Sequence, residues 1–208
     1  MTLDHIGYYL FPAVVWLRIV GRLAFPIFAY MVGEGMAHTR NLTRYFLTMV
    51  ATAAVCQGVM YCFTRDLYQS VFVTFSMSIG LGILVKNATE KKNALSWIFV
   101  GVAIAAAYGI CEILPSKVSG FRVDYDFLGV LAPVGVYLGK SRFQKLFYLG
   151  ICLLGLAANT YWVQWFAFLA IPLLLLYNGQ RGKWKLKWFF YLYFPLHTAI
   201  LHGLAWLL

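Results

Sequence analysis

Trp97-Ile98-Phe99-Val100-Gly101-Val102-Ala103-Ile104-Ala105-Ala106-Ala107-Tyr108-Gly109-Ile110 decides the fold class. It is the centre of an apolar run over residues 93–113, with no charge between Lys92 and Glu112. A helix rises about 1.5 Å per residue, so about 20 such residues cross a hydrocarbon core of about 30 Å. Gly101, Ala103, Ala105, Ala106 and Ala107 leave it slim enough for another helix to pack closely. Further apolar runs cover 1–12, 14–37, 44–64, 69–86, 125–139, 143–158, 160–177 and 186–207. The chain therefore reads as an all-α polytopic membrane protein, a helical bundle of about nine segments. The first segment is short or truncated, and the sixth and seventh are also short. No internal repeat or linker interrupts residues 1–208, so one transmembrane domain is expected.

Composition agrees. Hydrophobic residues make up 62% of the 208 positions and charged residues 12%, against roughly 45–50% and about 25% in soluble domains. So little charge cannot cover a water-soluble globule, and disorder, coiled coil and a disulfide scaffold are excluded. Cys56, Cys62, Cys111 and Cys152 form no CxxC or Cys/His spacing. They read as packing residues, and no metal site is expected. The opening Met1-Thr2-Leu3-Asp4-His5 lacks a basic n-region, so no cleavable signal peptide is expected.

The net charge of +10 would suggest nucleic acid in a soluble protein. Here the positions of the cations argue for topology instead. Arg40 and Arg44, then Lys86, Lys91 and Lys92, then Lys140, Arg142 and Lys145, then Arg181, Lys183, Lys185 and Lys187 occupy every second loop. The alternate loops hold Arg65, Lys117 and Arg122 with the acids Asp66, Glu112, Asp124 and Asp126. The positive-inside rule places the basic loops in the cytoplasm and the C-terminus outside. A multi-pass protein of the inner cell membrane follows, with lipid as its surroundings, no nucleic acid partner, and room for a homo-oligomer.

Ionisable residues inside apolar segments are expensive and are candidates for function. Asp4 and His5 lie in the first segment, Arg18, Arg22 and Glu34 in the second, and His197 and His202 in the last. If the chain turns near Pro12-Ala13, Asp4 and His5 lie level with Arg18 and Arg22, roughly 10 Å below the outer face. Arg18 and Arg22 are four apart and share a helix face. Asp4 can pair with one of them, and Arg22 is the better placed. Glu34 lies about 18 Å further along the axis, so about one cation is expected to remain unpaired. Such a cation could orient an acid or a developing oxyanion. His197, roughly 18 Å from the cytoplasmic end, lies near the height of His5, so histidines from the two ends of the chain could meet. Each residue also has a plainer reading. A histidine can simply bridge helices, Arg22 can serve only Asp4, and Glu34 can snorkel rather than border a cofactor entrance. His202 sits near the outer interface.

The loop Tyr177-Asn178-Gly179-Gln180-Arg181-Gly182-Lys183-Trp184-Lys185 is the densest cationic stretch. It reads either as a positive-inside anchor or as a phosphate-binding surface, where glycines admit backbone N–H groups and cations neutralise charge. No Walker or GxGxxG pattern is present.

Several stretches together resemble the TraX family of pilin acetylase-like proteins. They are Asp4-His5-Ile6-Gly7, Arg18-Ile19-Val20-Gly21-Arg22-Leu23-Ala24-Phe25-Pro26-Ile27-Phe28, Gly35 with His38-Thr39-Arg40-Asn41, Asp124-Tyr125, Leu176-Tyr177-Asn178-Gly179-Gln180-Arg181-Gly182 and Phe189-Phe190-Tyr191-Leu192-Tyr193-Phe194-Pro195-Leu196-His197. The resemblance is weak through about 45–120. It implies a transmembrane acyltransferase, related in fold to acetyl-CoA-dependent membrane acyltransferases, with a first-helix histidine as the catalytic candidate, matched by His5.

The expectation is an acetyltransferase moving an acetyl group from cytoplasmic acetyl-CoA to a peptide, glycan or small-molecule acceptor. His5 would act as base, with Asp4, Arg18, Arg22 and His197 around it. Glu34, Arg40, Arg44, Asn178, Arg181 and Lys183 would border the acetyl-CoA, whose pantetheine arm would run up between helices to His5. The rival readings are a small transporter or flippase that uses the charged cluster, and a non-enzymatic assembly factor.

Overall fold

The computed structural model describes residues 1–179 and 187–207. Among these it is a helical bundle with a single two-residue strand pairing. The elements are α1 (Thr2–Tyr9), α2 (Val15–Gly21), α3 (Ala24–His38), α4 (Leu42–Thr64), β1 (Tyr68–Gln69), α5 (Val71–Lys91), α6 (Ala94–Tyr108), β2 (Arg122–Val123), α7 (Asp126–Leu138), α8 (Arg142–Ala158), α9 (Ala170–Leu175) and α10 (Lys187–Leu207). Four stretches are long and apolar enough to cross a membrane: Val15–His38, Leu42–Thr64, Val71–Lys91 and Ala94–Ser116. The architecture is that of an all-α polytopic membrane protein.

Prolines explain where continuous apolar runs break. The run 14–37 becomes two helices because Pro26 has no N–H to offer the Arg22 carbonyl, four residues earlier, and its ring crowds that carbonyl. Arg22 and Leu23 form the turn between α2 and α3 and keep right-handed backbone conformations. Pro172 does the same to Phe168, and the stretch Trp162–Leu169 before it winds as a 3₁₀ helix. Short polar caps start the helices at the basic loops. The side chains of Asn41, Asn93 and Ser141 accept from the backbone N–H groups of Arg44, Ser96 and Gln144.

α3 is the axis of the bundle. Phe25, Ala29, Tyr30, Val32 and Met36 are buried against α5, α7, α8 and α9. At Gly33 the α3 backbone approaches α7 so closely that a Cβ would stand 2.6 Å from Val136 Cβ and 2.8 Å from the Pro133 carbonyl oxygen. α6 is peripheral and presents Leu95, Ile98, Phe99 and Val102 outward. Outward apolar side chains suit a helix facing lipid.

The joins α3–α4, α5–α6 and α7–α8, with the helix turns beside them, carry Arg40, Arg44, Lys91, Lys92 and Lys140 and define a basic end. At the opposite end β1 and β2 pair in parallel, Tyr68 with Arg122 and Gln69 with Val123. That pairing carries the loop before α7 across the mouth of the bundle. Tyr125 (φ 63°) and Asp126 (φ 50°) then take left-handed backbone conformations. Such conformations are costly for side chains of this size, at about 1–3 kcal/mol each, and turn the loop sharply into α7.

Candidate active site

α1 and α2 form a hairpin that sets the site. Its two glycines allow the contact. A Cβ on Gly21 would lie 2.3 Å from Asp4 Cβ, and one on Gly7 would lie 2.9 Å from Leu17 Cβ. With the backbones this close, Asp4 reaches the turn where α2 ends. Arg22 Nη2 donates to Asp4 Oδ1 at 2.8 Å and Oδ2 at 3.0 Å. Arg18 Nε lies 3.4 Å from the same carboxylate, and its guanidinium sits 5.1 Å above the Tyr8 ring. One carboxylate therefore serves both guanidiniums. The expectation of one unpaired cation is corrected in form: the pair shares Asp4 and leaves its excess charge over the cluster. Arg22 Nη1 donates to Gln164 Oε1 at 3.2 Å. Breaking a partly buried, charge-assisted pair of this kind costs about 1.5–3 kcal/mol.

The histidines come from opposite ends of the chain. His5 Nδ1 lies 3.0 Å from His197 Nε2. The rings are nearly parallel at 10°, with centroids 5.1 Å apart. The short N···N distance marks an edge-to-edge hydrogen bond rather than face stacking. Its direction follows from the next contact. His197 Nδ1 lies 2.9 Å from the Tyr193 carbonyl oxygen, which can only accept, so this Nδ1 carries the proton. Neutral His197 then has a bare Nε2, which accepts from His5 Nδ1–H. Neutral His5 is left with its lone pair on Nε2. A backbone carbonyl, acting through one imidazole, thus fixes the tautomer of the other. Tyr193 is itself held by α1, with its hydroxyl 2.6 Å from Thr2 Oγ1.

His5, Asp4, Arg18 and Arg22 line a cavity of about 540 Å³, within the usual size for a small-molecule site. Its mouth is at the opposite end, between Tyr8, Asp66, Arg122, Asp126 and Tyr161. Its floor is Phe25, Phe28, Phe75 and Phe194. Asp124 and Tyr125 form one wall. Tyr125 stacks on Phe25 with centroids 3.7 Å apart. Tyr68 Oη donates to Asp124 Oδ1 at 2.7 Å, and the Thr74 hydroxyl donates to the Asp124 carbonyl oxygen at 2.6 Å. Burial pushes the Asp124 carboxyl up to about 6, against the opposing pull of the Tyr68 hydroxyl and the Arg22 guanidinium. Burial and the adjacent Asp124 charge raise the Tyr68 phenol, which stays protonated as a donor. Arg122 and Asp126 pair at 3.1 Å beside the mouth.

The expected acetyl-CoA residues lie elsewhere. Glu34 is buried at the basic end and ion-paired with Lys145, with His38 Nδ1 at 3.5 Å. Arg40, Arg44 and Asn178 are exposed at that end. Arg181 and Lys183 fall outside the described residues. Among the described residues, neither Glu34, Arg40, Arg44 nor Asn178 lines the cavity that holds His5. His202 is also buried, its ring 4.4 Å from that of Tyr9 and 5.9 Å from that of Phe63. Among the described residues no group of three or more His, Cys, Asp or Glu could hold a metal ion.

Sequence reading passed over Gln164, Asp124, Tyr68 and Tyr125 as members of the site. Gln164 carries no charge, and Tyr68 and Asp124 sit in loops. One signal for Gln164 was available: it is an amide between Trp162-Val163 and Trp165-Phe166, inside an apolar segment. A buried amide there needs partners.

A probable fimbrial assembly protein, FimC of serogroup H1, from Dichelobacter nodosus is 25% identical over 97% of this chain and 89% of its own length. An uncharacterized protein of Rickettsia prowazekii is 52% identical over 33 residues, 16% of this chain and 13% of that protein. No solved structure matches. The sequence model of the family described as "TraX protein" matches residues 1–205. The chain belongs to the TraX protein family.

Proposed function

We propose that this protein is an integral-membrane acetyltransferase that moves an acetyl group from acetyl-CoA to an amine or hydroxyl acceptor. The observation that carries the reading is the 3.0 Å hydrogen bond between His197 and His5, which lines a cavity that also holds the Arg22–Asp4 pair. It leaves His5 Nε2 as a lone pair of defined direction, as a general base requires. Arg22 and Arg18 supply positive charge for a carbonyl oxygen that becomes negative during attack. The aromatic lining of Phe25, Phe75, Phe194 and Tyr125 lowers the local polarity, which strengthens each of these interactions.

The cavity mouth, with Tyr8, Asp66, Arg122, Asp126 and Tyr161, suits entry of the acceptor from the opposite end. Arg40 and Arg44 suit the phosphates of CoA at the basic end. Acyl delivery then requires the floor at Phe28 and Phe194 to part. In this reading the basic loops are cytoplasmic, the C-terminus is outside, and the membrane is the inner one. The Dichelobacter relative, a probable fimbrial assembly protein, supports a surface-filament subunit as the acceptor.

The test is acetyl transfer in proteoliposomes, with [14C]acetyl-CoA and a panel of peptide amines, amino sugars and polyols. Wild type labels at least one acceptor class. His5→Ala still inserts and folds, melts lower than wild type through loss of the bond to His197, and labels none. Turnover by His5→Ala at the wild-type rate removes His5 from the chemistry. Solute flux without acetyl-CoA consumption replaces the reading with a transporter.

A further inference from the structure

Among the described residues, four buried side-chain polar atoms lack a hydrogen-bond partner: Arg22 Nε, Ser70 Oγ, Gln164 Nε2 and His202 Nε2. Arg22, Ser70 and Gln164 all line the cavity that holds His5. Unpaired buried donors are rare, and their collection in one cavity calls for oxygen atoms supplied from outside the chain.

Gln164 is the most informative. It is 6% exposed, on the 3₁₀ helix Trp162–Leu169. Its orientation is fixed by chemistry. A guanidinium has only donors, so the branch facing Arg22 Nη1 at 3.2 Å must be the amide oxygen. The other branch is then the NH2 group, which can donate but not accept. Arg22 is held in turn by Asp4, the chain neighbour of His5. The amide is therefore anchored through Arg22 to the helix that carries His5.

We propose that Gln164 is a further catalytic residue, whose Nε2–H donates to the acyl carbonyl oxygen of a thioester during transfer. This rests on the acetyltransferase reading above. The acceptor's lone pair forms a bond to the carbonyl carbon, and the C=O π pair moves onto oxygen. The Gln164 N–H meets that oxygen as its charge grows. His5 Nε2 takes the acceptor's proton. The C=O re-forms, the C–S bond breaks, and the thiolate leaves and regains a proton from His5. No oxidant or reductant is needed.

Two variants of the full chain in nanodiscs test this. Gln164→Glu keeps the size and an oxygen on Arg22 Nη1 but replaces the donor with a second oxygen. Gln164→Leu removes both contacts. The probes are acetyl-CoA with a 13C-labelled carbonyl and hydroxylamine as acceptor. Wild type lowers the thioester carbonyl stretching frequency on binding. In both variants that band returns toward its position in free acetyl-CoA, KM for acetyl-CoA stays within threefold, and kcat falls about 10²–10³-fold. A wild-type band position together with unchanged kcat overturns the assignment. If Gln164→Leu fails to fold, Gln164→Glu carries the test. Absence of acetyl-CoA binding to wild type overturns the acetyltransferase reading, and this inference with it. Binding and transfer that are indifferent to residue 164 overturn this inference alone.

Discussion

Replacing His197 with phenylalanine removes the acceptor of His5 Nδ1–H and the Nδ1–H donor to the Tyr193 carbonyl. A ring of similar shape remains against Tyr193 and Phe194, whose rings now lie 5.0 Å and 5.2 Å from that of His197. Two costs follow. The 3.0 Å bond itself is lost, and the His5 donor is left unpaired in a partly buried place. Together these amount to about 1–3 kcal/mol of stability. The larger effect is on the tautomer. With no acceptor at Nδ1, His5 is free to carry its proton on Nε2, where the lone pair is needed. A base in the wrong protonation form forfeits the factor of about 10²–10⁴ that general-base catalysis supplies. His197→Gln is the matched control. Its amide can still place an oxygen near His5 Nδ1 and an NH2 toward the Tyr193 carbonyl, so part of the loss is regained. The assay has two arms. Acetyl transfer in nanodiscs reads kcat, and 15N spectra of histidine-labelled protein read which His5 nitrogen bears the proton. The reasoning is refuted if His5 carries its proton on Nε2 in wild type, or if His197→Phe retains kcat within threefold.

Gly21→Ala places a methyl 2.3 Å from Asp4 Cβ and 2.8 Å from its Cα, so α1 must move. Overpacking of this kind costs about 1–3 kcal/mol and pulls Asp4 off Arg22, lowering both melting temperature and transfer activity; a variant that melts and turns over like wild type would show that the hairpin contact is dispensable. Asp124 sits with its pKa raised from 3.8 to about 6 by burial. The folded state therefore holds that proton more tightly than the unfolded chain does, and the stability it contributes is full below about pH 4 and lost as pH rises through 6. At about 1.4 kcal/mol per unit, the deficit above pH 6 is about 3 kcal/mol. Asp124→Asn keeps an acceptor for Tyr68 and removes the deficit: its melting temperature exceeds that of wild type at pH 7.5 and converges with it at pH 4. An equal difference at both pH values would rule out titration of Asp124 as the cause.

Particular residues show where sequence reading reached and where it stopped. Asp4, His5, Arg18, Arg22 and His197 stand out because ionisable groups are rare in apolar segments, and a fixed rise per residue gives each a height. Height is a one-dimensional quantity, and it does not say which side of a helix faces which neighbour. That is why the single carboxylate of Asp4 shared by two arginines, and the pairing of Glu34 with Lys145, were not legible. Gln164 escaped because it is neutral. Asp124 escaped because its place depends on a two-residue parallel pairing between loops more than 50 positions apart in the chain.

Local composition alone settled that the chain crosses a membrane as a bundle of helices, since transfer of about 20 apolar residues into lipid is a property of each segment by itself. It also settled which ends of the helices carry the cations. Only the packed bundle decided that the His5 cavity is lined by Asp66, Arg122 and Tyr161 from the loops at the other end, with Phe28 and Phe194, and not by Glu34, Arg40 or Arg44. Cavities form where side chains from separate helices fail to fill the space between them, and that depends on the rotation and crossing of every helix at once.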